Sequence, residues 1–124
     1  MKTPTLEIDK VLNPEGLNNH QKTERHTIAQ LLNHVIKGEF TICGIDDGKE
    51  YTKVSTVKDA MELIFNLDEC SIIVAANKSN SSRHYISIVL GNNEPCDMIT
   101  DWSFHENDHD GFNKTMDKFL ERYD

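Results

Sequence analysis

The chain has 124 residues, a formal net charge of -8, 37% hydrophobic and 27% charged residues. That is the size of one domain, long enough to bury a core without disulfides or metal and too apolar to be a disordered chain. No run approaches the ~18–20 apolar residues of a membrane span, and Met1-Lys2-Thr3-Pro4-Thr5 lacks the apolar centre of a signal peptide, so a cytoplasmic protein with no membrane partner is expected.

Residues 1–17 read as an N-terminal arm, punctuated by Pro4 and Pro14 and carrying Leu6, Ile8, Val11 and Leu12. Such an arm is either loose or docked on the domain or on a second copy. Residues 18–124 form a single domain. Ile28, Leu31, Leu32, Val35 and Ile36 recur at i, i+3, i+4, i+7 and i+8, which predicts a helix from about Asn19 to Lys37 with Gly38 as its stop. Phe40–Ile45 reads as a strand, Asp46-Asp47-Gly48 as a hairpin turn and Glu50–Val54 as the returning strand.

Thr56-x-x-Asp59 resembles a capping box opening a second helix, with Val57, Ala60, Met61, Ile64 and Phe65 on one stripe. Cys70–Ala76 is a nearly continuous apolar run, which suits a central strand. Asn77–Ser82 reads as a polar loop. In the strand His84–Leu90, Ile86, Ile88 and Leu90 face one way and Tyr85, Ser87 and Val89 the other. Cys96–Ser103 is the last strand, Ser103–Asp110 an acidic loop, and Phe112, Met116, Phe119, Leu120 and Tyr123 the stripe of a third helix capped by Asp108 or Asp110. The expected fold is α+β: a mostly antiparallel five-stranded sheet with three amphipathic helices in the order α-ββ-α-βββ-α.

Cys43, Cys70 and Cys96 are odd in number, widely spaced and set in apolar runs. They read as buried free thiols in a reducing compartment rather than as a zinc site. The charge is uneven. Residues 1–40 balance five basic against five acidic residues, whereas residues 91–124 hold three basic against nine acidic. A surface of that sign repels phosphate backbones and suits a basic protein partner, where it does not merely keep the chain soluble.

The densest polar cluster is Asp97, Asp101, His105, Glu106, Asp108, His109 and Asp110. Its plain reading is a solvated loop with a helix cap. Its chemical reading is a divalent-metal site on Asp97, Asp101, His105 and His109, because carboxylates and imidazoles together can hold such an ion. Trp102 alternates with Cys96, Met98 and Thr100 and so closes the core, or else stands as an exposed aromatic anchor ringed by acids. Ser79, Ser81, Ser82, Arg83 and His84 place hydroxyls beside an imidazole, but no strand–turn–helix elbow or Gly-rich oxyanion element accompanies them, so a flexible loop is the better account. His20, His26 and His34 sit among polar neighbours and read as solvent-facing. Should the helices cover one sheet face only, the other carries Cys43, Ile73, Tyr85, Val89 and Ile99, a semi-apolar surface of the kind that takes a ligand or a second copy.

Ile45-Asp46-Asp47-Gly48-Lys49-Glu50-Tyr51, Ser55-Thr56 at a helix start, Val89-Leu90-Gly91-Asn92 and Asp97-Met98-Ile99-Thr100-Asp101-Trp102 together resemble a pattern in small uncharacterised proteins encoded on phages, plasmids and genomic islands. The resemblance spans about residues 38–124, with Met98, Thr100 and Trp102 departing from the usual residues. It implies no activity; it implies an accessory role on a mobile element. The expectation is a non-catalytic interaction protein without cofactor, such as a host-defence inhibitor or an immunity-type protein. Its working surface would hold Asp97, Asp101, Trp102, Glu106, Asp108 and Asp110. A metal-binding protein or metal-dependent enzyme built on the Asp/His cluster, and a small-ligand sensor on the open sheet face, are the competing readings.

Overall fold

The computed structural model describes residues 19–67, 69–77, 79–91, 98–103, 107–108 and 110–121. They form helix α1 (Asn19–Lys37), strands β1 (Phe40–Asp46) and β2 (Tyr51–Lys53), helix α2 (Val57–Ile64), strands β3 (Glu69–Ala76), β4 (Ser79–Val89) and β5 (Ile99–Trp102), and helix α3 (Phe112–Leu120). The strands make one antiparallel sheet in the order β2-β1-β3-β4-β5. The fold is α+β with the expected order of elements. The arm expected over residues 1–17, and Cys96, lie outside the described residues. Among the described residues no helix is long and apolar enough to cross a membrane.

Each helix turns its apolar stripe to the same face of the sheet. Ile28, Leu31, Leu32 and Val35 of α1, Ala60, Met61 and Ile64 of α2, and Phe112, Met116 and Phe119 of α3 are fully buried. Ile36, expected in the α1 stripe, is instead 44% exposed, because the stripe is narrower than its spacing suggests. At the start of α2, the Thr56 hydroxyl accepts the Asp59 N–H at 3.1 Å, as the capping-box pattern predicts.

The end of α1 departs from expectation. Glu39, not Gly38, takes the left-handed conformation, at φ 72°. Its N–H donates to the Ile36 carbonyl at 3.1 Å, and its own carbonyl accepts the Asn77 N–H at 2.9 Å. Gly38 serves a different need: a Cβ there would stand 3.0 Å from Thr115 Oγ1 on α3, so the missing side chain lets the two helices meet closely.

Of the three register shifts in the sheet, two decide which face its apolar residues take. Ile42 pairs with Val74 and Gly44 with Ile73, so Cys43 is an extra residue on β1 and Ile45 stays on the covered face. Ser87 pairs with Asp101 and Ile88 with Ile99, so Thr100 is extra on β5. The second shift turns Ile99 onto the core, where it packs, and not onto the uncovered face expected for it. Residues 79–82, read from sequence as loop, belong to β4, which pairs with β3 from Arg83 to Val89 and again at Ser79, opposite Ala76, across a register shift. The pair at Ser79 lies beyond the apolar alternation of β4, so no sequence pattern announces it.

Candidate functional site

Of the acids between β5 and α3, the two that the structure describes, Asp108 and Asp110, bond to the start of α3. Asp108 Oδ1 and Oδ2 accept the N–H groups of Asn113 and Lys114 at 2.8 and 3.1 Å, satisfying the first turn of α3. Asp110 Oδ1 accepts the Phe112 N–H at 3.2 Å, and Gly111 takes the N-cap position at φ 79°. Trp102 is half-buried, edge-on to Phe112 at 5.9 Å, and packs on the core. Asp101 is exposed on the sheet, where its carboxylate accepts the Tyr85 hydroxyl at 3.0 Å. Asp97, His105, Glu106 and His109 lie outside the described residues. Among the described residues no group of three histidine, cysteine or acidic side chains is placed to hold a metal ion.

Behind Asp110 lies a polar node that the sequence patterns do not announce. His84 is 5% exposed. Its Nε2 is 2.6 Å from Asp110 Oδ2 and its Nδ1 3.3 Å from Ser103 Oγ. Its ring stacks on Phe112 at 4.2 Å and meets the edge of Phe40. Burial alone would raise the Asp110 pKa; the bonds from His84 and from the Phe112 N–H, with the charge of His84, outweigh it and hold the carboxyl below its ordinary value. Histidine, serine and carboxylate are the residue types of a nucleophilic triad, but the imidazole is sealed between aromatic rings and Ser103 Oγ also accepts the Tyr85 N–H at 3.0 Å. The node fastens α3 to β4 and β5. One sequence signal could have found it: His84 shares the parity of Ile86 and Ile88, so it points inward with them.

Two further side chains do similar work. His34, read as solvent-facing, is half-buried: its Nε2 lies 2.8 Å from the Thr115 carbonyl and its ring rests on Phe119. Glu24 is 7% exposed and accepts the Gly91 N–H at 2.6 Å, joining α1 to the turn after β4. His26 is exposed, as expected; the side chain of His20 lies outside the described ones.

The face of the sheet turned from the helices is the remaining surface. By register it carries Thr41, Gly44 and Asp46 from β1, Tyr51 and Lys53 from β2, Glu69, Ser71, Ile73 and Ala75 from β3, Arg83, Tyr85, Ser87 and Val89 from β4, and Asp101 from β5, so its two basic residues, Lys53 and Arg83, are both exposed there. Cys43, Ile73 and Val89 are half-buried. Tyr51 and Tyr85 are 46% and 37% exposed. The Tyr51 ring lies across Gly44, where a Cβ would collide with it and stand 2.6 Å from the Thr52 carbonyl. Tyr85 is held through its hydroxyl by Asp101, and that bond, then partial burial and the carboxylate charge, raise its pKa above the ordinary phenol value.

At one end of this face, beside the β1–β2 turn, an open depression of about 350 Å³ is lined by Asp46, Asp47, Glu69, Ser71, Ser87 and Thr100 among others. Ser71 Oγ and Ser87 Oγ meet across its floor at 3.3 Å. The turn is stiff: Asp46 Oδ1 accepts the Gly48 N–H, and Asp47 Oδ1 those of Lys49 and Glu50, each at 2.8 Å. The N–H groups of Glu50 and then Lys49 hold the Asp47 pKa below its ordinary value, so the carboxylate stays charged.

Comparison with known protein families, with curated proteins and with solved structures finds no match to this chain.

Proposed function

We propose that the protein is a non-catalytic interaction module that binds a basic protein partner through an acidic surface. One observation carries the reading. The helices cover a single sheet face, and among the described residues the depression on the other is lined by three carboxylates and no basic side chain, in a chain of net charge -8. A one-signed concave surface raises the encounter rate with an oppositely charged partner and orients it on approach. The described histidine–carboxylate chemistry, by contrast, is consumed in fastening α3. The likeness of residues 38–124 to small proteins of phages, plasmids and genomic islands supports an accessory role on a mobile element, as an inhibitor of host defence or an immunity-type protein.

The test is affinity capture with the full chain at low salt and again at ~0.5 M salt, where charges more than a few Å apart are screened. The expected partner is basic and is lost at high salt. A captured partner that is acidic, or that ignores salt, overturns the proposal.

A further inference from the structure

Building on the reading of a basic partner, we infer that the uncovered sheet face is the docking surface and that it receives an arginine-bearing segment. The guanidinium occupies the depression beside the β1–β2 turn, and the apolar flank of the segment crosses Tyr51, Ile73 and Tyr85.

Three features of the face support that occupant. The first is charge and hydrogen-bonding complementarity. Asp46, Asp47 and Glu69 supply carboxylate oxygens and Ser71, Ser87 and Thr100 hydroxyl oxygens around one open volume of about 350 Å³. A guanidinium presents five N–H donors in a plane and no acceptor, and is weakly hydrated, so it can satisfy several of these oxygens at once. A lysine ammonium is a strongly hydrated point charge and engages such a set less completely.

The second feature is the pair of exposed tyrosines. Tyrosine is an interface residue of low conformational cost, and here both are already restrained, Tyr51 by its seat across Gly44 and Tyr85 by its bond to Asp101. Their π faces also favour a guanidinium over an ammonium. The third is stiffness. Asp46 and Asp47 are fixed by bonds to the turn backbone, and Ser71 and Ser87 sit on the two best-paired strands, so little order is lost on binding.

The experiment titrates nitrogen-15-labelled full-length protein with hexa-arginine and hexa-lysine peptides at low salt and follows the amide resonances. Saturable shifts are expected at Asp46–Gly48, Ser71, Tyr85 and Ser87. Hexa-arginine should bind about fivefold more tightly than hexa-lysine, a ratio that falls to about twofold in the Tyr51→Ala/Tyr85→Ala variant, which keeps the oxygen-lined depression. Both tyrosines are exposed, so that variant keeps its fold, which its own spectrum reports. Equal affinities for the two peptides overturn the assignment of arginine. Shifts centred on Asp117 of α3 and on Glu121 just beyond it overturn the sheet face as the docking surface while the basic-partner reading stands. No shifts from either peptide overturn both.

Discussion

On its helix-covered side the sheet presents Phe40, Ile42, Ile45, Cys70, Ile72, Val74, Ile86 and Ile88, each less than a tenth exposed. On its other side the same strands present Thr41, Gly44, Asp46, Ser71, Ile73, Tyr85 and Ser87. The first set is held by volume: every position faces the helices, and an added or missing methylene is felt throughout the core. The second set is held by hydrogen bonds and by one ring lying on a glycine, and no helix constrains its composition. Two consequences follow from one alternation of side chains. Stability is concentrated on the covered face, and freedom to acquire a partner is concentrated on the other.

Substitutions put that contrast under strain. Phe112 of α3 contacts His84, Phe40 and Trp102 at once. Phe112→Ala is expected to cost about 4 kcal/mol in urea unfolding, the largest single effect. His84→Ala leaves the Asp110 carboxylate without its imidazole and is expected to cost about 3 kcal/mol. His84→Ala also differs from the wild type in acid. The pKa of Asp110 is depressed in the folded state, so its stabilisation is complete above the unfolded value of ~3.9 and is lost as pH falls through the folded one. Below about pH 4 the stability of the wild type should therefore fall more steeply than that of His84→Ala. Equal slopes would show that the pair does not hold α3.

On the uncovered face the effects are smaller. Gly44→Ala is expected to cost about 2 kcal/mol through overpacking. The loss is only partly recovered in a Tyr51→Ala background, because the Thr52 carbonyl crowds the same point as the Tyr51 ring. The cysteines read the contrast directly. Burial, and then the charge of Asp47, push the Cys70 thiol up to about 11, while Cys43 is half-buried on the uncovered side. At neutral pH iodoacetamide should therefore modify Cys43 well before Cys70, measured by peptide mapping. Equal rates would mean that the covered face opens as readily as the other.

Much of the architecture is legible in the sequence, because helices and strands that bury one face must repeat their apolar residues at 3.6 or 2.0. The bounds of α1, the Thr56 cap and the inward strand of Ile86 and Ile88 follow from that rule. What escapes it is set by non-local geometry. The extra residues Cys43 and Thr100 exist only in relation to neighbouring strands. Gly38 looks like a helix stop by position, yet its role is to admit Thr115, which is 77 positions further along the chain. Of the candidate site, the acids after Trp102 are visible as charge, but their employment as caps and as the partner of His84 depends on where α3 lands. The depression on the uncovered face joins Asp46, Glu69 and Thr100 from three separate strands and has no linear signature.

Glu39 leaves room for engineering. Among the described residues it alone, apart from glycines, holds a left-handed backbone, and it is fixed there by bonds on both its N–H and its carbonyl. Relief of about 1 kcal/mol of steric strain in Glu39→Gly, against about 0.5 kcal/mol of added chain freedom when unfolded, leaves a net gain of about 0.5 kcal/mol. Differential scanning calorimetry should register it as roughly 2 °C in Tm. The junction of α1 and β1 thus marks where the molecule could be made more heat-resistant without touching its core or the surface proposed to meet a partner.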